Sequence, residues 1–508
     1  MRLLKILLGR PLLILLSLFV QAGVLLSVFL YFNYYFLAVH IIGTLLGLFF
    51  FLHMLNKREC PEFKLPWLLM ILTLPYFGMM LYLCLAIPRY SRRQRRRFRG
   101  NSKCQNSDLP PKRDEKITET TLGDHAGICR YLSHFSGTAA HIGNRVRYFP
   151  DGEKFLADLL SELQSARRFI FMEYFIIAPG AMWDAIHGVL LEKVREGVEV
   201  RLLYDDVGNL GKTGSRFYKR LQKEGIQCYK FNPIRPVLSG IHNNRDHRKI
   251  TVIDGRVAYT GGINIGDEYI NRVQPLGHWK DTAIKIEGSA VQELTRLFLE
   301  LYDPSAKRST ALSDYLCKEP PTFSDEGAVQ PFGDGPRPYN AEPVAENAFI
   351  QMINRADRSI CITTPYLVID HNLTTALCNA AARGVDVRII TPHKPDKRLI
   401  FWVTRSHYKP LLQAGVRIYE YTPGFIHAKT LLCDDEIAFV GTVNLDYRSL
   451  VHHFECGAIL YKTPCLADIK ADLEQTLAVS EELTAQNFRM NGLASLACSF
   501  LAVFFPLL

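Results

Sequence analysis

The chain has 508 residues, of which 48% are hydrophobic and 22% charged, and a formal net charge of +10. That length accommodates two or three domains, and that balance excludes both a disordered chain and a pure membrane bundle. Twelve cysteines without CxxC pairs or zinc-ligand spacing argue against a disulfide framework or a structural zinc, and Cys361, Cys378, Cys433 and Cys456 sit in or beside apolar runs, as reduced buried thiols do.

Taken from the N-terminus, the first elements are three apolar stretches, Leu12–Phe32, Phe36–Leu55 and Trp67–Ile87, without Asp, Glu, Lys or Arg. Each has the length of a membrane-crossing helix, so the pattern predicts an N-terminal transmembrane region. The run RYSRRQRRRFRG follows, with Arg89, Arg92, Arg93, Arg95, Arg96, Arg97 and Arg99. Directly after an apolar segment it reads as a cytoplasmic juxtamembrane anchor for anionic headgroups rather than a nucleic-acid patch. Three full spans would then leave Arg2, Lys5 and Arg10 outside, against the positive-inside preference. The first stretch is therefore left open between span and interfacial segment. The apolar tail after residue 490, with Leu493, Leu496, Phe500, Leu501 and Phe504 at near-helical spacing, suits the interface or the protein's own core.

Beyond about residue 110 the same pattern occurs twice. VREGVEVRLLYDDVG, LQKEGIQCYKFNP and HRKITVIDGRVAYTGGINIG are answered by AARGVDVRIITPHKP, LLQAGVRIYEYTP and HAKTLLCDDEIAFVGTVNLD. His247 and His427, Lys249 and Lys429, Asp254 and Asp434, and Asn264 and Asn444 are each 180 residues apart. The first copy reads as a helix over Glu153–Ala166, a strand in FIFMEYFII, a helix over Met182–Glu196 closed at Gly197, and a strand in VEVRLLY. ITVID and RVAYTGG form a hairpin turning at Asp254-Gly255. The second copy repeats this with a helix to Arg358, strand SICITTPY, a helix to Arg383, Gly384 and strand VDVRIIT. Alternating strands and helices with a hairpin predict an α/β chain of two similar domains, each a mixed β-sheet flanked by helices. The expected divisions are 1–35, an extra apolar segment; 36–100, the membrane module with its basic run; 110–302, the first domain; 303–342, a linker rich in Pro, Ser and Gly; 343–490, the second domain; and 491–508, the tail.

Each copy carries His-x-Lys-x4-Asp: His247, Lys249 and Asp254, then His427, Lys429 and Asp434. Alternate side chains of a strand share a face. Each imidazole thus stands beside an ammonium, and two such edges facing one another would surround one phosphate. Asp254 and Asp434 begin tight turns and suit either a catalytic or a turn-capping role.

These paired motifs resemble those of the phospholipase D superfamily. HRKITVIDGRVAYTGGINIGDEY with WKDT, and HAKTLLCDDEIAFVGTVNLDYRS with FE, are similar to bacterial cardiolipin synthases. NKRECPEFKLPWLLMILTLPYFGMMLYL and the ending FFPLL resemble that family's termini, so the resemblance runs from about residue 36 to the end. Thr442 stands where Ser is more usual, and both carry a hydroxyl.

The resemblance implies transfer of a phosphatidyl group from one phosphatidylglycerol to another through a phosphohistidine, with His247 as nucleophile and His427 as acid/base. Nothing in the residues themselves separates those two roles. Lys249 and Lys429 would neutralise the phosphoryl oxygens, and Asn264 and Asn444 would donate hydrogen bonds. Glu455 is the expected orienting carboxylate for His427, Asp281 for His247. Glu173, at a strand end, is expected to line the pocket, with Tyr174 beside it; a buried structural pair is the other reading of Glu173. No cofactor or metal is called for. The expected partners are phosphatidylglycerol and anionic lipids at a bacterial cell membrane, crossed more than once, with the catalytic part cytoplasmic. No nucleic-acid partner is expected, and a homo-oligomer stays open. A hydrolytic phospholipase D or another phosphatidyltransferase is the alternative activity.

Overall fold

The computed structural model describes residues 19–20, 22–24, 26–27, 33–57, 60–86, 121–214, 216–234, 240–484, 488, 498 and 500–507. They fall into two units, one of residues 1–91, 234–243 and 499–508, the other of residues 92–233 and 244–498.

In the first unit, helix Asn33–Leu55 packs with helices Pro61–Thr73 and Pro75–Leu81 around Met54, Trp67, Ile71, Phe77 and Tyr82. The stretch Trp67–Ile87, expected as one span, is not one helix. Leu74 leaves the helical region at φ −134° and ψ 74°, and Pro75 starts a new helix because its ring cannot continue the old one. Gly78 lets the two pieces close tightly, since a Cβ there would lie 2.5 Å from the Met70 carbonyl oxygen. Residues 82–86 then wind into a π-helical turn. The stretch Phe36–Leu55 lies within Asn33–Leu55, where Leu37, Ile41, Ile42, Leu45, Phe49 and Leu52 are exposed. Among the described residues no helix is long and apolar enough to cross a membrane. Most of Leu12–Phe32, the arginine run and half of the tail lie outside the described residues.

The second unit holds both repeats. Strands β1 (His141–Ile142) and β2 (Arg145–Phe149) precede helix Gly152–Ser165. There follow β3 (Phe169–Tyr174), helix Ala181–Arg195, β4 (Glu199–Asp205), helix Phe217–Lys223, β5 (Gln227–Phe231), β6 (Lys249–Ile253), β7 (Val257–Gly261), β8 (His278–Lys280) and β9 (Ala283–Glu287). After helix Val291–Ala306 come β10 (Ala328–Asp334), helix Val344–Arg355, β11 (Ser359–Thr363), β12 (Leu367–Val368), helix His371–Ala382 and β13 (Asp386–Pro392). Helices Arg398–Ser406 and Tyr408–Gln413 lead to β14 (Arg417–Tyr421), β15 (Gly424–Ile426), β16 (Thr430–Cys433), β17 (Ile437–Gly441), β18 (Leu445–Asp446), β19 (Glu455–Tyr461), helix Leu466–Ala478 and β20 (Ser480–Leu483).

The sheets run β2-β9-β7-β6-β3-β4-β5 and β1-β10-β19-β17-β16-β11-β13-β14-β20. Within each, β3-β4-β5 or β11-β13-β14 is parallel and the remaining neighbours antiparallel, the expected mixed sheet. The hairpin turns at Asp254-Gly255 as expected, with φ of 53° and 68°. Gly197 and Gly384, at φ 86° and 90°, follow the helices that they were expected to close.

The segment 303–342, expected as a linker, is partly the start of the second copy. β10 pairs along its whole length with β19, as β2 pairs with β9. Pro331 and Gly333 disguised it, since both are loop signals. Pro331 is tolerated because β1 covers that edge only at Ala328 and Val329.

The two sheets pack face to face. Phe171, Ile250, Val252 and Ala258 from the first share a core with Val329, Leu432, Val440 and Ala458 from the second, and helix Val291–Ala306 adds Phe298, stacked on Phe171 at 4.6 Å. Each outer face carries helices of its own copy, and helix Ala126–Phe135, from the start of this unit, joins those on the second sheet. Strands such as β3, buried along their whole length, therefore read as continuous apolar runs.

Arg248, between the motif's His and Lys, points into this shared core and is fully buried. It donates to the carbonyls of Glu455 and Leu297 and to the Tyr339 hydroxyl, with Glu300 at 3.9 Å. Arg248→Ala leaves these acceptors without a cation and should lower stability by about 3–5 kcal/mol. Urea unfolding checks this, and an unchanged midpoint would contradict it.

Candidate active site

The two histidines are placed by reciprocal pairing between the copies. The His247 amide donates to the Phe454 carbonyl at 2.9 Å, and the Phe454 amide to the Arg245 carbonyl at 2.8 Å. The His427 amide donates to the Lys280 carbonyl at 2.7 Å, where β15 runs parallel to β8. Each histidine strand is thus docked on the segment that precedes the other copy's carboxylate.

The orienting pairs consequently cross between copies, opposite to the expected assignment. His247 Nδ1 lies 2.9 Å from both Glu455 carboxylate oxygens, and His427 Nδ1 lies 2.6 Å from Asp281 Oδ2. Motif order suggested that each carboxylate serves the histidine of its own copy. The strand pairing carries it to the other. Both carboxylates are inaccessible to solvent. Each holds Nδ1–H and leaves Nε2 of its ring unprotonated and available.

The carboxylates are themselves held. Thr442 Oγ1 donates to Glu455 Oε2, and Ser449 Oγ to Oε1 at 2.7 Å. The hydroxyl at 442, noted only as a variant position, thus has a direct task. Asp281 Oδ1 accepts from the Thr282 amide at 2.8 Å. Gly262 occupies the position equivalent to Thr442, and a Cβ there would lie 2.0 Å from Asp281 Oδ1.

Lys249 and Lys429 share a buried neighbourhood with both rings. Lys249 Nζ donates to the His247 carbonyl at 2.6 Å, and Lys429 Nζ to the His427 carbonyl. Burial pushes Lys249 down to about 8 and Lys429 down to about 7. Burial also holds both imidazoles well below the ordinary histidine range, helped by the charges of both lysines and of Lys397. His427 acts on His247 as well. Two imidazoles, two lysines and two carboxylates thus lie together out of solvent. Burial pushes Asp281 up to about 7, against the pull of Lys429. Around the rings stand Phe175, at 5.0 Å from His247, and Tyr269 and Trp279, at 5.6 and 5.8 Å from His427.

The other expected residues divide. Asp254 accepts the amides of Arg167, Arg168 and Phe169, and Asp434 those of Asp357, Arg358 and Ser359. Each follows its histidine by seven residues, across β6 or β16, up to roughly 23 Å at about 3.3 Å per residue. They are turn anchors, which corrects the catalytic reading. Asn264 is committed to the protein, accepting from the Ile176 amide and donating to the Tyr269 hydroxyl. Asn444 Oδ1 is buried without a hydrogen-bond partner. Glu173 is fully buried, and burial with the nearby Asp246 pushes its carboxyl well up. Arg248 pulls it the other way. Tyr174 bonds Thr251 at 2.8 Å within the outer core, so it does not line the cleft.

Comparison with known proteins agrees with this architecture. The family model described as "Cardiolipin synthase, PLD-like domain" matches residues 159–302 and 349–477. A protein of Streptococcus mutans named only "Uncharacterized protein" is 40% identical, over 87% of this chain and 96% of that protein. A cardiolipin synthase of Geobacillus sp. (strain WCH70) is 34% identical, over 87% of each chain. Cardiolipin synthase 2 of Bacillus cereus is 33% identical, over 86% of this chain and 85% of that one. The crystal structure of phosphatidylserine synthase from Haemophilus influenzae shares the fold, with a TM-score of 0.58 at 16% identity, over 74% of this chain and 96% of that one.

Two outcomes follow from the geometry. The affinity for a soluble glycerophosphodiester, whose single charge does not titrate near neutrality, should fall as pH rises through about 7 to 8. Both lysines lose their protons there in the empty cleft, and each proton regained on binding costs up to roughly tenfold per pH unit. A flat profile in calorimetry would exclude the cation cradle. Asp254→Asn should lower the thermal midpoint while kcat stays within roughly threefold, as for a hydrogen-bond anchor outside the site. A loss of activity comparable to His247→Ala, with the fold intact, would restore the catalytic reading. Two motif-bearing copies matched by that family model, and relatives aligned over most of both lengths, establish that the chain belongs to the cardiolipin synthase family with phospholipase D-like domains.

Proposed function

We propose that the chain is a cardiolipin synthase that joins two phosphatidylglycerols and releases glycerol. The observation that carries this is the crossed pair of histidine–carboxylate dyads around two buried lysines. His247 Nε2 attacks the phosphorus of the first lipid, a P–N bond forms, and the P–O bond to the departing glycerol breaks. His427 donates the proton that this glycerol needs. A hydroxyl of the second lipid then gives its proton to His427 and attacks phosphorus, and the P–N bond breaks. Burial and the neighbouring lysines disfavour an imidazolium at 427. The lipid phosphate supplies the negative charge that offsets the lysines and lets His427 hold its proton. Lys249 and Lys429 balance the charge that builds on the non-bridging oxygens.

Several features support a lipid rather than a soluble substrate. Lys397, whose charge reaches both imidazoles, precedes helix Arg398–Ser406, on which Leu399 and Trp402 are 48% and 47% exposed. A lysine followed by an exposed leucine and an exposed tryptophan suits the headgroup layer of a bilayer. The apolar exposure of helix Asn33–Leu55 and the basic run at 89–99 suit a bacterial cell membrane, with the catalytic unit on the cytoplasmic side.

Purified protein in phosphatidylglycerol vesicles should form cardiolipin and glycerol in equal amounts. His247→Ala and His427→Ala should each lower turnover by at least about a hundredfold, the scale of a lost acid/base group. Phosphatidic acid in place of cardiolipin would instead make the enzyme a hydrolase acting through the same intermediate. Unchanged turnover in either variant would remove the two-histidine mechanism.

A further inference from the structure

Beside the nucleophile lies an imidazole that the transfer reaction does not use. His453 precedes the Phe454 segment on which the His247 strand is docked. Its ring centroid is 5.5 Å from that of His247. Its Nδ1 is 3.6 Å from Glu455 Oε1, too long for a hydrogen bond, and is buried without a partner. A buried ring nitrogen left unpaired is costly and uncommon. His247 Nδ1 approaches the same carboxylate at 2.9 Å. One ligand atom from each of His247, His453 and Glu455 lies within 4.8 Å of the other two, the only such three-residue group among the described residues. Two imidazoles and a carboxylate form a donor set well suited to a borderline metal such as zinc, with a fourth position open.

We propose that His247, His453 and Glu455 form an inhibitory site for a divalent transition metal, zinc above all. The inhibitory part of this rests on His247 being the nucleophile. The ion takes the lone pair of His247 Nδ1, the atom that otherwise carries the proton shared with Glu455. That proton moves to Nε2, so the ring keeps one proton and no charge is created. Nε2 then has no lone pair for phosphorus, and the transfer stops. Glu455 exchanges its bond to His247 for a bond to the ion, while Thr442 and Ser449 still hold its oxygens. Metal entry is feasible from the His453 side, where 11% of the side chain is exposed. The second dyad has no equivalent third ligand among the described residues, so the site belongs to one side of the pseudo-symmetric cleft.

The test pairs activity with a readout independent of it. In detergent micelles of phosphatidylglycerol, ZnCl2 should inhibit the full-length enzyme and EDTA should restore it. His453→Asn and His453→Gln should keep basal turnover and require at least about tenfold more zinc, the usual effect of losing a ligand's support. Zinc bound by the lipid itself affects all three proteins alike and cancels in the comparison. Cobalt(II) added without lipid should give the visible bands of a nitrogen- and oxygen-ligated tetrahedral ion, absent from both variants. Equal zinc sensitivity in the wild type and both variants, or no cobalt spectrum in the wild type, overturns the site. Cobalt bands that vanish in the variants without any zinc inhibition would leave the metal site standing and refute the nucleophile assignment on which inhibition rests. If one variant does not fold, the other decides both readouts, and if neither folds the wild-type cobalt spectrum, present or absent, decides the site.

Discussion

Two short backbone pairings between the repeats determine the active site. Residues 245–247 lie along Phe454, and β15 with His427 lies along β8 and Lys280. Neither copy is complete without the other, because each supplies the carboxylate that fixes the other's imidazole. A duplicated domain usually suggests two sites. Here the exchange of edges brings the four side chains together, with the imidazole from each copy bonded to a carboxylate from the other. The face-to-face packing of the sheets and the buried Arg248 hold that interface together at its back.

Burial provides the rest of the chemistry. With both dyads and both lysines nearly inaccessible, water screens their charges little. Burial lowers the proton affinity of both lysines and holds both imidazoles neutral. In the proposed reaction a phosphodiester between them would stabilise the protonated lysines, and the charge that it acquires during displacement would do so further. Preorganised cations of this kind favour the transition state more than the resting lipid. The two copies are not equivalent in detail. Thr442 reaches the longer Glu455, whereas Gly262 makes room for the shorter Asp281.

Much of this was legible in the sequence. The strict spacing of His247 and His427, the hairpin at Asp254-Gly255 and the glycine-closed helices are local patterns, and the structure reproduces them. Readings that depend on long-range pairing were not legible. Glu455 and Asp281 were expected to orient the histidines, but motif order cannot show which strand docks on which, so the pairs are exchanged. Asp254 and Asp434 look catalytic because they stand in the same motif as the histidines; seven residues of extended strand carry them to the opposite end of the sheet. β10 was hidden by its own Pro331 and Gly333, although its match to β2 could have been found by carrying the repeat upstream. His453 gave no signal, since its relation to His247 exists only once Phe454 and the His247 strand are side by side.

The central claim is that the two imidazoles flank one phosphorus. An experimentally determined structure with orthovanadate, which adopts the five-coordinate geometry of a phosphoryl group in transfer, tests it most directly. The account predicts a single vanadate with one axial bond to His247 Nε2, His427 Nε2 within hydrogen-bond reach of the opposite axial oxygen, and Lys249 and Lys429 on the equatorial oxygens. Vanadate held by one histidine with the other turned away, or two separate anions in two separate clefts, would contradict it.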